Sequence, residues 1–151
     1  MNQLAYPVNR DALHQLLLKL QPDAIPVWGK MTAQQMVEHM IEQVRYSYEK
    51  FTFVFDVPEE QAKQAKQKWI YTNAQIPPNL ILGPLPAAYE YPDLHAAIEQ
   101  LMLELEDFDR YFEQAGTVVN HGAYGPMDYN EWLIWHGKHL EHHLRQFGLI
   151  N

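Results

Sequence analysis

Residues 135–148 read WHGKHLEHHLRQFG and contain four of the chain's eight histidines. Side chains four positions apart lie on the same face of an α-helix, one turn from each other. His139 and His143 can therefore direct two imidazole rings at one point, which is the arrangement that a divalent transition metal requires. The pair is the first candidate for a metal site.

The histidine pair continues a helix seam that begins at Trp132 and His136, with the three-then-four spacing of buried positions. The adjoining apolar stripe is formed by Leu133, Leu140, Leu144 and Phe147, and His142 is expected to face away from the pair. The residues expected on the solvated side are Lys138, Glu141 and Arg145, of which Glu141 and Arg145 can pair at i,i+4. Buried imidazoles need partners, and a metal or hydrogen bonds to carboxylates and loop carbonyls would both serve. Helix geometry leaves both interpretations open.

A third ligand has to come from elsewhere in the chain, because an open metal site usually has three protein ligands. The candidates are His14, His39, His95 and His121. His39 is the best placed, since the capping-box pattern from Thr32 to Gln35 opens a helix that runs to about Lys50 and carries His39 in its second turn. It lies at the edge of that helix's apolar stripe. The alternative is a histidine beside the core, bonded to Glu42 or to water.

The remaining pattern predicts an all-α fold in one domain spanning residues 1–151. The other expected helices cover Asn9 to Gln21, a short polar stretch from Pro58 to about Trp69, a long helix from the Asp93 cap to Gly116, and a last helix from the Asp128–Glu131 capping box to Gly148. Residues 51–57 are strand-like in propensity, and five prolines between Tyr71 and Pro92 predict an extended crossover between the second and third long helices. Four long helices with a crossover indicate a four-helix bundle.

The loop before the last helix, residues 120–127, is punctuated by glycines and contains His121. Glycines let backbone approach a ligand closely, so His121 is a candidate catalytic residue that could line a pocket, donate to a substrate or shuttle a proton near neutral pH. The alternative is a loop histidine bonded locally. Tyr124 and Tyr129 are candidates for the pocket wall or for the core.

Composition excludes several classes of function. The formal net charge of −8 argues against binding of nucleic acid, which depends on clustered Lys and Arg. No apolar run is long enough to span a membrane, and the first residues lack the features of a signal peptide, so we expect a cytoplasmic protein without membrane contacts. The absence of cysteine excludes thiolate ligands for a metal. Nothing in the composition decides between a monomer and a homodimer.

Two stretches, residues 28–40 and 135–148, resemble the DinB/YfiT-like superfamily of metalloenzymes. The ending HHLRQFG is most similar to a branch known only as a domain of unknown function. The resemblance implies a four-helix bundle that holds nickel or zinc with one histidine from the second helix and an HxxxH pair from the last. On this chain the implied ligands are His39, His139 and His143.

The resemblance also implies a small-molecule substrate, because characterised relatives include metal-dependent transferases that use low-molecular-weight thiols. We therefore expect a metal-dependent S-transferase acting on such a thiol, with a metal-dependent hydrolase as the alternative, since a metal bound by neutral imidazoles can activate either a thiol or water. A non-catalytic metal-binding or interaction bundle is a third hypothesis. Glu38, Glu42 and Glu131 are candidates to orient the ligating histidines.

Overall fold

Helices account for most of the chain in the computed structural model, which describes residues 3–52, 57–78, 85 and 88–151. In chain order the elements are a 3₁₀ turn (Pro7–Asn9), α1 (Arg10–Leu18), α2 (Ala33–Ser47), α3 (Glu59–Ile70), α4 (Leu94–Tyr111), β1 (Val119–His121), β2 (Gly125–Met127) and α5 (Tyr129–Gln146). The prediction of a mainly helical chain is confirmed.

The predicted helix starts are present with their capping bonds. The Thr32 side chain accepts from the backbone N–H of Gln35, whose side chain accepts from the Thr32 N–H, and Asp128 and Glu131 form the same reciprocal pair at the start of α5. Asp93 caps α4 with its carboxylate. These bonds satisfy N–H groups that the first turn of a helix leaves without a partner, so the local sequence defines where each helix begins.

Three helices end earlier than the sequence predicted. Helix α1 stops at Leu18, α2 at Ser47 and α4 at Tyr111. After α2 the chain turns sharply at Glu49, whose φ of 64° is left-handed and incompatible with continuing the helix. The apolar periodicity runs past these ends because the residues that follow still face the core, as the buried Leu20 does after α1.

The glycine-rich stretch before α5 is a hairpin and not the loop that the sequence predicted. Strands β1 and β2 pair antiparallel, with Val119 opposite Met127 and His121 opposite Gly125. Gly125 has a φ of 71°, which suits glycine at the end of a tight connection. The fold is thus mostly helical with one small two-stranded sheet, which is compatible with the predicted all-α fold.

The core lies between α1, α2, α4 and α5. Helix α4 packs on α1 and α2, and α5 packs on α2, α3 and the hairpin. The largest side chains that are fully buried are Trp132, Phe108, Leu13, Leu17, Met36, Met40, Ile41, Ile70, Ile98, Leu101, Leu105 and Met127. Helix α5 contributes residues to this core from nearly all of its circumference, so it is enclosed and not a surface helix.

One face of α5 differs from the prediction. Lys138 was expected on the solvated side but is only 6% exposed, because residues 72–76 pass over it. The carbonyl groups of Thr72 and Ala74 accept hydrogen bonds from its ammonium group. The predicted pair of Glu141 with Arg145 is present.

Some predictions fall partly outside the described residues. The structure does not describe residues 53–56 of the strand-like stretch 51–57. It also does not describe residues 79–84 and 86–87 of the proline-rich crossover. Within the described ranges, no helix has the length and apolar character needed to cross a membrane.

A buried charge network joins α2 to α4. Arg45 donates from Nε to Glu104 at 2.8 Å, and Gln100 and Tyr48 donate to the same carboxylate, which is fully buried. Burial alone would raise the pKa of Glu104, but the hydrogen bonds from Tyr48, Arg45 and Gln100 outweigh it and keep the pKa below its ordinary value. Arg45 and Glu104 therefore each offset the free-energy cost of burying the other's charge.

We predict that Glu104→Ala lowers the free energy of unfolding by roughly 3 to 5 kcal/mol, because it removes the buried carboxylate that accepts from Arg45, Tyr48 and Gln100 and leaves Arg45, among the described residues, only the exposed Glu90 as an ion-pair partner. Urea denaturation at pH 7 measures the change. Glu106→Ala, at an exposed position on the same helix, is the matched control and should change the free energy by no more than about 0.5 kcal/mol. Equal effects of the two substitutions would contradict a stabilising role for the network.

Candidate metal centre

Three histidine rings from two helices converge at one point. The Nε2 atom of His139 lies 3.1 Å from Nε2 of His39 and 3.1 Å from Nε2 of His143. His39, His139 and His143 are the three residues that the sequence proposed as ligands. Among the described residues they form the one group of at least three metal-ligating side chains that could hold an ion, with all ligand atoms within 4.8 Å of one another.

The helices dictate this convergence. His139 and His143 are one turn apart on α5, and their ring centroids are 4.8 Å apart. His39 lies on α2 and meets both rings edge-on, at centroid distances of 4.9 and 5.2 Å. His39 is also the most exposed of the three, since the other two are each 6% exposed and His39 is only partly buried. Solvent therefore reaches the group from the α2 side.

Burial keeps the three rings neutral. Desolvation, with a contribution from the neighbouring His142, lowers the pKa of His39 to about 4. Desolvation and the neighbouring His39 lower the pKa of His143 to about 3, although its bond to Gln146 opposes the shift. Burial and the adjacent histidines also hold the pKa of His139 well below its usual value. Neutral imidazole is the form that binds a metal.

The donor set fits a divalent transition metal. Bonds of 2.0 to 2.1 Å at tetrahedral angles place two nitrogen ligands about 3.3 Å apart. The separations of 3.1 Å are close to that value and equally suit an N–H···N hydrogen bond, so one proton shared at His139 can hold the rings together in the absence of metal. Two of the three separations thus match a tetrahedral site, and the outer pair, His39 and His143, would draw closer when a metal binds, since the ligand atoms lie within 4.8 Å of one another.

Gln146 orients the ring of His143. Its Nε2 donates to the carbonyl of Trp28 at 3.2 Å, which leaves Oε1 to face Nδ1 of His143 at 2.7 Å. An amide oxygen can only accept, so Nδ1 of His143 carries the proton and its Nε2 presents a lone pair to the other two rings. Sequence analysis missed this residue, although its i+3 spacing from His143 on one helix is the signal that could have found it.

The loop before α2 holds Gln146 in place. The backbone N–H of Val27 donates to the carbonyl of Gln146 at 2.7 Å, in addition to the side-chain bond to Trp28. Gly29 has a φ of 75°, and a Cβ atom there would lie 3.1 Å from Nε2 of Gln146. Glycine thus allows both the left-handed turn and the close approach of the glutamine.

His136 and His142, the other two histidines of α5, are engaged elsewhere. Ser47 donates its hydroxyl to the carbonyl of Val44 and accepts from Nε2 of His136 at 2.8 Å, which places His136 in the core beside Phe108. The Nδ1 atoms of His136 and His139 are buried with no hydrogen-bond partner among the described residues.

His142 is not one of the converging rings, as the sequence predicted, but it is not at the surface. Its Nδ1 donates to the carbonyl of Ile76 at 3.2 Å, and its ring packs against Trp28 and His143. Its exposed fraction is 9%. The ring therefore forms a wall between the three-histidine group and the chain that follows α3.

His121 lies one aromatic ring away from the three-histidine group. It stacks on Tyr124 at 4.1 Å between ring centroids and meets Trp135 edge-on, and Trp135 in turn stacks on His139. Its Nδ1 accepts from the backbone N–H of Ala123. Burial lowers the pKa of His121 to about 3, so the neutral ring predominates near neutral pH, which gives no support to a proton shuttle. A catalytic role for His121 stays a prediction.

Two of the three acidic residues expected to orient the ligands, Glu38 and Glu131, have other partners. Glu38 accepts from the side chain of Gln34 and from the backbone N–H groups of residues 90 and 91. Glu131 caps α5 and accepts from Tyr71 and Lys66. Among the described contacts, the residue that orients a ligating histidine is an amide, Gln146, and not a carboxylate.

Comparison with known proteins identifies the family. The family described as "Protein of unknown function (DUF1569)" matches residues 1–148. The chain belongs to this family. None of the curated proteins or solved structures compared with it is a match. The matched region of this DUF1569 protein includes all three converging histidines and Gln146, so the centre lies within the family's own domain.

We predict that the metal-free protein holds His143 as its Nδ1–H tautomer, because Gln146 offers an acceptor only to that form. Long-range ¹H–¹⁵N correlation spectra of the rings report the tautomer. Gln146→Glu retains an acceptor and should keep the signature, whereas Gln146→Leu should lose it. An Nε2–H tautomer in the wild-type protein would show that the glutamine does not orient the ring.

Proposed function

We propose that His39, His139 and His143 bind one divalent transition metal, nickel or zinc. The observation that carries the proposal is the convergence of three neutral imidazole nitrogens from two helices, with the lone pair of His143 directed inward by Gln146. Hydrogen bonding to each other satisfies the rings only in part, since a single proton on His139 has to serve two neighbours. A metal accepts all three lone pairs at once.

The metal proposal predicts about one equivalent of zinc or nickel bound per chain in untagged protein, measured by elemental analysis after removal of excess metal. His139→Ala and His143→Ala should each abolish stoichiometric binding. The far-ultraviolet helical signal should largely survive in both, because the core is built from apolar side chains and does not depend on an ion.

His95→Ala is the matched control, since this histidine is exposed on α4 and outside the three-histidine group. Gln146→Leu should weaken zinc binding roughly 10- to 100-fold without abolishing it, as expected for a residue that orients a ligand. His39→Ala tests the same site at a partly exposed position, where folding is least at risk. Full metal content in His39→Ala and in either α5 variant would exclude the site.

For the chemistry, we propose a low-molecular-weight-thiol S-transferase. When bound, a divalent metal supplies positive charge that lowers the pKa of a coordinated thiol or water. The three neutral ligands contribute no negative charge to offset it, and the partial exposure of His39 leaves a route for a small molecule. Gln146, held by the carbonyl of Trp28, would keep the ring of His143 in position while a substrate enters.

The choice of thiol chemistry rests on the resemblance of residues 28–40 and 135–148 to the DinB/YfiT-like superfamily. On the same resemblance, we propose that the helices form the four-helix bundle of that superfamily. We also propose, as the sequence predicts, that the enzyme works in the cytoplasm. The cysteine-free sequence is compatible with this role, because the chain has no thiol of its own to compete for the metal. Metal-dependent hydrolysis is the alternative that the same donor set would support.

The deciding experiment incubates zinc- or nickel-loaded protein with bacillithiol, mycothiol or free cysteine and an aromatic electrophile such as chlorodinitrobenzene. We expect thioether formation faster than with the His139→Ala control for at least one thiol. A parallel assay follows hydrolysis of p-nitrophenyl acetate without thiol. Metal-dependent hydrolysis with no thiol transfer would replace the transferase by a hydrolase, and neither activity would favour a non-catalytic metal-binding bundle.

A further inference from the structure

A cavity of about 330 Å³ lies on the other side of His142 from the three-histidine group. One wall is a face of α5 with Lys138, Glu141, His142 and Arg145, and the other is the chain after α3, which includes Asn73 and Gln75. Its volume falls at the lower end of the range for sites that bind small molecules. None of the chemistry proposed for the metal centre uses this cavity.

The cavity contains a buried cation with an incomplete set of partners. Lys138 is 6% exposed, and its ammonium group donates to the carbonyls of Thr72 and Ala74 at 2.7 and 2.9 Å. It forms no ion pair with any carboxylate among the described residues, and the neighbouring Glu141 is bound to Arg145. An ammonium has three N–H donors, so two carbonyls leave one donor without a hydrogen-bond partner in the described part of the chain, and the negative charge of Glu141 acts on Lys138 without a direct ion pair. Buried charges in proteins are normally paired.

The charge of the lining confirms the imbalance. Lys138 and Arg145 contribute two positive charges, and Glu141 contributes one negative charge. The cavity thus has a net positive charge in a chain whose formal net charge is −8. The amide groups of Asn73 and Gln75 are additional donors on the opposite wall.

We propose that this cavity binds a small molecule through an oxyanion group, a carboxylate or a phosphate, which pairs with Lys138. The oxyanion accepts the third N–H of the ammonium group and places a negative charge in direct contact with Lys138. The site is separate from the metal centre and does not require a metal, so its ligand binds to metal-free protein.

The test uses the full chain, freed of metal by a chelator that is then removed, and two probes, inorganic phosphate and acetate, each at constant ionic strength. Amide chemical shifts are followed by NMR. We expect saturable shifts that include residues 73–76 with at least one probe, and an increase in melting temperature with the same probe. The probe that binds more tightly distinguishes a phosphate from a carboxylate ligand.

Lys138→Met should weaken the binding roughly tenfold or more, the loss expected for one charge-assisted hydrogen bond. Lys63→Met removes the same charge from an exposed position on α3 and should leave binding unchanged. If Lys138→Met fails to fold, the titration of the wild-type protein decides the proposal by itself. Absence of saturable shifts with both probes, or unchanged binding in a folded Lys138→Met protein, would overturn the proposal. A finding that the three histidines bind no metal would not overturn it, because every titration is done without metal.

Discussion

The enclosure of α5 is the constraint on which the rest of the structure depends. This helix carries four histidines and a lysine, all buried. Each polar group has to find a partner that other elements supply, because unsatisfied polar groups inside a protein are costly. Ser47 of α2 accepts a hydrogen bond from His136, and Gln146 of α5 accepts one from His143. Carbonyl groups of the chain after α3 accept hydrogen bonds from Lys138 and His142.

His139 is the histidine for which this arrangement does not suffice. Its Nε2 faces two other imidazole nitrogens, and its Nδ1 has no partner among the described residues. A helix that needed only packing at this position could carry leucine. Burying His139 without a full set of hydrogen-bond partners costs stability. Buried polar groups that stay unsatisfied tend to mark functional sites, so a ligand-binding role explains the three histidines better than a contribution to stability does.

The loop at residues 27–29 couples the fold to the candidate centre. Backbone and side-chain bonds fasten it to Gln146, and Gly29 removes the side chain that would obstruct the approach. Two chain segments thereby fix the C-terminal part of α5. The loop at residues 27–29 binds Gln146, and the chain after α3 binds His142. The position of His143 is set by contacts from outside its own helix, which is how proteins usually hold ligands in a defined orientation.

The sequence by itself determined the features that depend on neighbours along the chain. Helix starts at Thr32, Asp93 and Asp128 follow from caps within three residues, and the convergence of His139 and His143 follows from one helical turn. The approach of His39 could be proposed only from its place at the edge of an apolar stripe and from family resemblance.

Tertiary structure alone decided what depends on chain segments that are distant in sequence. Lys138 sits on a polar stripe of α5 and was expected in solvent, but residues 72–76 cover that stripe and bury it. The carbonyl of Trp28 that fixes the amide of Gln146 and the ring of Trp135 between His121 and His139 likewise leave no local pattern. Helical periodicity reports which face of a helix is apolar, whereas the element that covers a polar face is chosen by packing across the whole chain.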